Sequence, residues 1–182
     1  MKRITLHPSP FWQSPHHLPK VDVITEIQQD NLSFTFDIWD PPNCFRCECN
    51  QNGQPCWKDS CAEVFILSQK MNGYFNFETN SAGYCLAEFG QQRQSRRPCS
   101  APDYDLFQRK ILLTPTMEND SIHWSVQIVI PKSFVGILDD SNIKGNLYKC
   151  ASAAQSPHYL MAFPIHTPSP DFHRPEYFDV LF

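Results

Sequence analysis

The chain has 182 residues and a mass of 21.1 kDa, the size of one domain, and its 41% hydrophobic content supplies a core and excludes wholesale disorder. Fifteen Lys and Arg against nineteen Asp and Glu leave a net charge of −4 at pH 7, which disfavours a nucleic-acid binder that works by neutralising phosphate. Sixteen Pro against six Gly argue against a helix bundle, because Pro fits neither helix interiors nor central strands; short extended segments and rigid loops are expected instead.

Residues 1–20 hold four Pro and three His without periodicity and read as an extended lead-in, packed down by Trp12. Lys2 and Arg3 give a charged start, but no apolar run follows. No export signal is visible, so localisation stays open with the cytoplasm as the default. No apolar stretch approaches the roughly 20 residues of a membrane span, and no membrane insertion is expected.

The strand pattern begins at Asn31–Asp40, where Leu32, Phe34, Phe36 and Ile38 share one face. Pro41-Pro42 stops it, and a Cys-rich loop runs to about residue 56. Further strands are predicted at Ala62–Leu67 and Tyr74–Thr79, with Asn72-Gly73 as a hairpin signal between them, and at Tyr84–Phe89. Residues 91–105, with Arg93, Arg96 and Arg97, read as a polar loop. Lys110–Leu113 and Ile122–Ile130 resume the strands, the latter being the clearest alternation in the chain, with Trp124 on its inward register. Pro131–Val135 suits one helical turn opened by Pro. Gly145–Ala151, Tyr159–Phe163 and Tyr177–Phe182 close the series. The expected fold is all-β: a single antiparallel sandwich over residues 21–182, immunoglobulin-like or jelly-roll in layout, with very little helix.

Five of the eight cysteines (Cys44, Cys47, Cys49, Cys56 and Cys61) crowd into one loop; the others are Cys85, Cys99 and Cys150. Cys44 and Cys47 make a C-x2-C pair without a matching second pair, so zinc, disulfide and free thiol all stay open. No H-E-x-x-H, G-x-S-x-G or phosphate-cradling Gly loop occurs. Glu63 and Glu78, on adjacent strands, could serve a glycosidase, but the simpler expectation is polar, solvated strand positions.

A more specific pattern runs through Trp57-Lys58-Asp59-Ser60-Cys61-Ala62-Glu63-Val64-Phe65, then Asn76-Phe77-Glu78-Thr79-Asn80, then Asn146–Cys150, Pro157–Leu160 and finally His173-Arg174-Pro175-Glu176-Tyr177-Phe178. In this order, from about residue 21 to the C-terminus, these segments resemble the carbohydrate-binding module family 9-like domains, relatives of the DOMON sandwiches. The resemblance implies a non-catalytic domain that grips a sugar between two aromatic rings, here Trp57 and Phe172, the latter standing where the family has Trp. It carries the hydrogen-bonding positions onto Glu63, Glu78 (Arg in some members) and Lys149 (Gln in some), with Asn80, His158 and Arg174 as secondary candidates. Calcium-containing members exist, but no calcium-ligand run is recognisable here, and no cofactor is predicted. The partner implied is a saccharide or glycan, with association with a glycoside-processing enzyme as a further expectation.

The chemistry agrees with that resemblance. A pyranose offers apolar C–H faces to an aromatic ring and equatorial hydroxyls to charged donors and acceptors. Trp57 follows a loop just ahead of a strand and is the indole expected to be exposed, whereas Trp39 could form a rim or a second patch. Glu63 and Glu78 could instead pair with Lys149 and Arg174, and Arg174 reads as a pin for the last loop. Two rivals remain: a haem or redox module, for which Met161 lies near His158 and His166, and a glycoside-processing enzyme using Glu63 and Glu78. A domain that has lost its ligand is a third.

Overall fold

A computed structural model describes all residues, 1–182. Its strands, in chain order, are β1 (Lys2–Thr5), β2 (His7–Pro8), β3 (Lys20–Gln28), β4 (Asn31–Asp40), β5 (Cys61–Leu67), β6 (Tyr74–Asn80), β7 (Cys85–Gly90), β8 (Arg96–Pro98), β9 (Gln108–Glu118), β10 (Ser121–Pro131), β11 (Lys144–Cys150), β12 (Tyr159–Met161) and β13 (Asp179–Val180). A single α-helical turn, α1 (Lys132–Val135), follows β10, with Pro131 as its N-cap rather than its first residue. All pairings are antiparallel. One sheet runs β1-β3-β4-β10-β9; the other runs β2-β12-β11-β5-β6-β7-β8, with β13 also on β11.

The two sheets make the expected all-β sandwich. Period-2 alternation puts Leu32, Phe34, Phe36 and Ile38 of β4 opposite Ile130, Ile128, Val126 and Trp124 of β10, all fully buried. From the second sheet Ala62, Val64 and Ile66 of β5, Phe75 and Phe77 of β6 and Leu147 of β11 face them in the same core cluster. Each such side chain contributes about 1.5–3 kcal/mol on burial, which fixes the register of these strands, because a one-residue slip would turn the row out to water.

Several segments differ from the sequence expectation. The lead-in is extended but woven into the sandwich, β1 pairing with β3 and β2 with β12, and Trp12 is buried with its indole N–H donating to Thr167 O at 2.9 Å. β3 was missed, although Val21 and Val23 mark its inward face. The stretch 91–105 contains β8. Only Asp179–Val180 of the predicted last strand pairs, since Pro175–Tyr177 form a 3-10 turn. The β5–β6 connection is the loop 68–73, closed by Ser68 N–H to Gly73 O at 3.0 Å, rather than a tight two-residue turn. Gly73 takes φ 151°, and a Cβ there would meet Gly90 O at 2.8 Å.

The second sheet is buried on both faces. On the side away from the main core, Phe65, Tyr74 and Tyr148 pack with Trp12, Met161, Ile165 and Phe178 beneath the segments that follow β12. This second layer of packing positions the site.

Candidate functional site

β5 and β6 pair so that Glu63 stands directly across from Glu78. Both side chains point to the outer face of the sheet, where the overlying loops leave them only 1% and 3% exposed. They form the floor of a cleft of about 240 Å3. Glu63 Oε1 accepts from the Cys150 thiol at 2.9 Å, and Glu78 Oε1 accepts from Asn76 Nδ2 at 2.9 Å. Glu78 Oε2 has no partner. Burial pushes both carboxyls well above the usual carboxylate range. The adjoining Cys150 reinforces this for Glu63, and the Glu63 and Glu88 carboxyls do so for Glu78. The expectation of solvated strand positions is corrected: a second cover lies over this face.

Trp57 forms one wall. It sits on the 3-10 turn Cys56–Lys58, 41% exposed, with its carbonyl accepting from Ser152 N–H at 3.1 Å. Asp59, fully buried just after it, holds the preceding loop. Its Oδ2 accepts from Glu48 N–H (2.9 Å), Cys49 N–H (2.8 Å) and Asn80 Nδ2 (3.1 Å), and its Oδ1 from Arg46. Burial alone would raise the Asp59 carboxyl, but the donors from Cys49, Asn80, Glu48 and Arg46 outweigh it and hold the group below its ordinary value. A backbone so anchored presents the exposed indole at little ordering cost.

Phe172 also lines the cleft. Its ring stacks on Tyr148 at 4.0 Å and 8°, and Tyr148 Oη donates to Phe172 O at 3.1 Å. Arg96 of β8 enters from the side, with its guanidinium 4.4 Å from the Tyr74 ring centre, its Nε on Glu88 Oε2 at 3.2 Å and its Nη2 on Asn76 Oδ1. Its Nη1 is buried without a partner. His173, sharing a 3.0 Å hydrogen bond with Tyr74 Oη, is driven down to about 3 by burial and the nearby arginines, and so stays neutral.

The structure therefore brings Trp57, Glu63, Glu78 and Phe172 to one cleft. It does not bring Lys149 there. Parity along β11 turns Lys149 to the inner face, fully buried, with Nζ 2.9 Å from Asp40 Oδ1 and 2.9 Å from His158 Nε2. Placing Lys149 and His158 among the ligand-binding groups is thereby corrected. His158, held down at about 2 by burial and by Lys149, accepts from that ammonium and donates through Nδ1 to Ser156 O. Asp40 also accepts the Trp124 indole N–H at 2.8 Å, which confirms Trp124 as core. Asn80 is spent on Asp59, on Cys49 O and on the turn to Tyr84, and Arg174 pairs with Glu176 at 2.9 Å beside the last loop. Met161 lies in the outer cluster and His158 in the inner network, so these two are split across the sheet, while His166 is exposed and packs against Phe11 and Tyr177.

The sequence reading missed Arg96, Glu88, Cys150 and Tyr159, which also line the cleft. For Cys150 a signal existed, since it alternates with Lys149 and falls opposite Cys61 in the β11–β5 ladder. All eight cysteines are free thiols, and Cys56, Cys61 and Cys150 pack together beside Glu63. No group of three or more His, Cys, Asp or Glu side chains gathers in metal-binding geometry.

Comparison with known proteins decides the family. The profile of carbohydrate-binding family 9 matches residues 8–182, nearly the whole chain. The chain belongs to carbohydrate-binding family 9. The match starts inside the segment read as a lead-in, consistent with the pairing of β2 within the sandwich. Among solved structures, this family 9 domain is similar to a candidate carbohydrate-binding protein from Bacteroides uniformis ATCC 8492, at 26% identity and a TM-score of 0.85, over 98% of this chain and 84% of that one. It also shares its fold with a family 9 module from Caldicellulosiruptor kristjanssonii. The glucose complex of that module gives TM-score 0.56 and 11% identity over 97% of this chain and 79% of that one; its cellotriose complex gives 0.56 and 9% over 89% and 72%. No curated protein sequence matches the chain.

Proposed function

We propose that this carbohydrate-binding domain holds one sugar ring in the cleft between Trp57 and Phe172, with Glu63, Glu78 and Arg96 hydrogen-bonding its hydroxyls, and that it binds without catalysing. The observation that carries the reading is the convergence of an exposed indole, a backed phenyl ring and two buried carboxyls on one cleft of a family 9 domain. The cleft volume of about 240 Å3 falls below the roughly 300–1,000 Å3 of sites for drug-sized ligands, which suits a single ring better than a chain threaded through. Tyr148, stacked on one face of Phe172, holds that ring rigid where it lines the cleft. Two orphaned buried atoms, Glu78 Oε2 and Arg96 Nη1, are the acceptor and donor that a hydroxyl would satisfy. Association with a glycoside-processing enzyme belongs to the same reading.

Isothermal titration with glucose and cellotriose tests it. Binding is expected, and Trp57→Ala should weaken it by about 1–2 kcal/mol without lowering the melting temperature, because the indole is exposed. Trp39→Ala on the far sheet serves as a control that leaves affinity unchanged. The enzyme alternative draws on the buried Glu63–Glu78 pair; turnover of an aryl glycoside abolished by Glu78→Gln would establish it.

A further inference from the structure

We propose that Glu63 and Glu78 hold a single proton between them at neutral pH. The cleft floor is then a carboxylic acid beside a carboxylate, able to give one hydrogen bond and accept another from adjacent hydroxyls of a sugar. The second half of this inference rests on the saccharide reading above.

Charge accounting around the pair leads there. Two carboxyl groups facing each other across an antiparallel ladder lie within about 4.5–5.5 Å at Cβ, and both are almost fully buried. Two adjacent, desolvated negative charges would need a cation, and each nearby cation is paired with another carboxylate, with only Arg96 Nη1 left free at the side of the cleft. From β8, Arg96 is paired with Glu88 of β7 at 3.2 Å. From the loop after β7, Arg93 reaches Asp171 at 3.6 Å. From β11, Lys149 turns to the opposite face and pairs with Asp40 at 2.9 Å. The remaining ionisable neighbours bring no positive charge. On β11 and β12 these are Tyr148, Cys150 and Tyr159, with both phenols pushed up by burial. Cys61 of β5 and Cys56 of the preceding turn are thiols that burial also pushes up. Tyr74 of β6 is raised to about 12, and His173 of the last loop is neutral. The hydrogen bonds fit one proton as well. Each carboxyl receives one donor from the protein, Cys150 for Glu63 and Asn76 for Glu78, while Glu78 Oε2 is left bare.

Infrared difference spectra in heavy water, wild type minus Glu78→Gln and wild type minus Glu63→Gln, read the proton directly. A protonated carboxyl C=O band with the intensity of one carboxyl is expected in the wild type at neutral pH, titrating away on the alkaline side. Absence of that band at neutral pH, or a band with the intensity of two carboxyls, overturns the proposal, and the wild-type titration alone decides this even if a variant fails to fold. Calorimetry with cellotriose and glucose reads the consequence. Wild-type affinity should fall by up to about tenfold per pH unit once the shared proton leaves, while Glu78→Gln, whose amide donates and accepts at any pH, should be flat. A flat wild-type profile with the acid band present overturns the role in hydroxyl recognition. An acid band without saccharide binding at any pH overturns the sugar reading instead and leaves the shared proton standing.

Discussion

The two outer faces of the sandwich are built by opposite rules. On the first sheet, β3 alternates between core and water over Lys20–Thr25, β9 has no buried residue and is exposed throughout Thr114–Glu118, and the outward side carries groups such as Asp22, Lys110 and Asp37. Trp39 lies there too, stacked on His123 at 4.2 Å with Lys20 over its ring, so its charged neighbours cover it. On the second sheet, β5, β6 and β11 are buried almost end to end, because the segments after β12 and the lead-in fold over them. Burial on both faces forces polar residues to take inside partners or stay orphaned. On the inner face Asp40 pairs with Lys149 and accepts the Trp124 indole, and Lys149 also bonds His158, so the charges sit in one closed network; on the outer face Glu78 Oε2 and Arg96 Nη1 are left free around a cleft. Charges closed into a network away from any opening mark scaffold; free polar atoms beside an opening mark a place for a ligand.

The sharpest way to break this contrast is Lys149→Ala. It strands the Asp40 carboxylate in the core, and a loss of about 3–5 kcal/mol in urea unfolding is expected, with saccharide affinity of the folded protein unchanged. A fall in affinity with little loss of stability would place Lys149 in the cleft after all. Asp59→Ala comes next, at about 2–3 kcal/mol, since it leaves the donors of Glu48, Cys49 and Asn80 unsatisfied and loosens the loop bearing Trp57. Because the Asp59 carboxyl is held below its ordinary value, its contribution is present above that ordinary value and is lost as pH falls through the lowered one. Melting curves at falling pH should show Asp59→Asn losing less stability toward acid than the wild type. The smallest effect belongs to the wet face. Burial tends to lower the His123 pKa, but its bonds to Asp37 at 2.7 Å and Glu118 at 2.8 Å raise it on balance. Its contribution is present below the ordinary His value and lost as pH rises through the raised one. Both carboxylates are well exposed, so His123→Gln should change stability by less than about 1 kcal/mol and leave binding untouched.

Where one face is wet, the sequence was easy to read. Leu32, Phe34, Phe36 and Ile38 on β4, and Trp124 with its partners on β10, showed their period directly, and the sandwich followed from them. Where both faces are covered, the period carries less. Glu78 looked solvated because its cover comes from Phe172 and His173, more than ninety residues away, which no local window contains. Lys149 came from the resemblance alone, and the strand's own pattern spoke against it, since an inward Leu147 turns Lys149 inward as well. Arg96 hid in a basic, Ser-rich stretch whose three-residue strand pairs only with β7. Family resemblance located Trp57 and Glu63, but only the coordinates showed that Arg46, Glu48 and Asp59 tie down the loop before the indole.

The first eight residues act as a clasp over two seams. β1 closes the free border of one sheet along β3, and β2, only two residues on, closes the other along β12. Removing this short piece would bare two ladders of unpaired amides at the same end of the molecule, each a template for a foreign strand. A shortened chain should therefore self-associate before it loses its core, and a fusion joined ahead of Met1 is gentler on the domain than any trimming behind it.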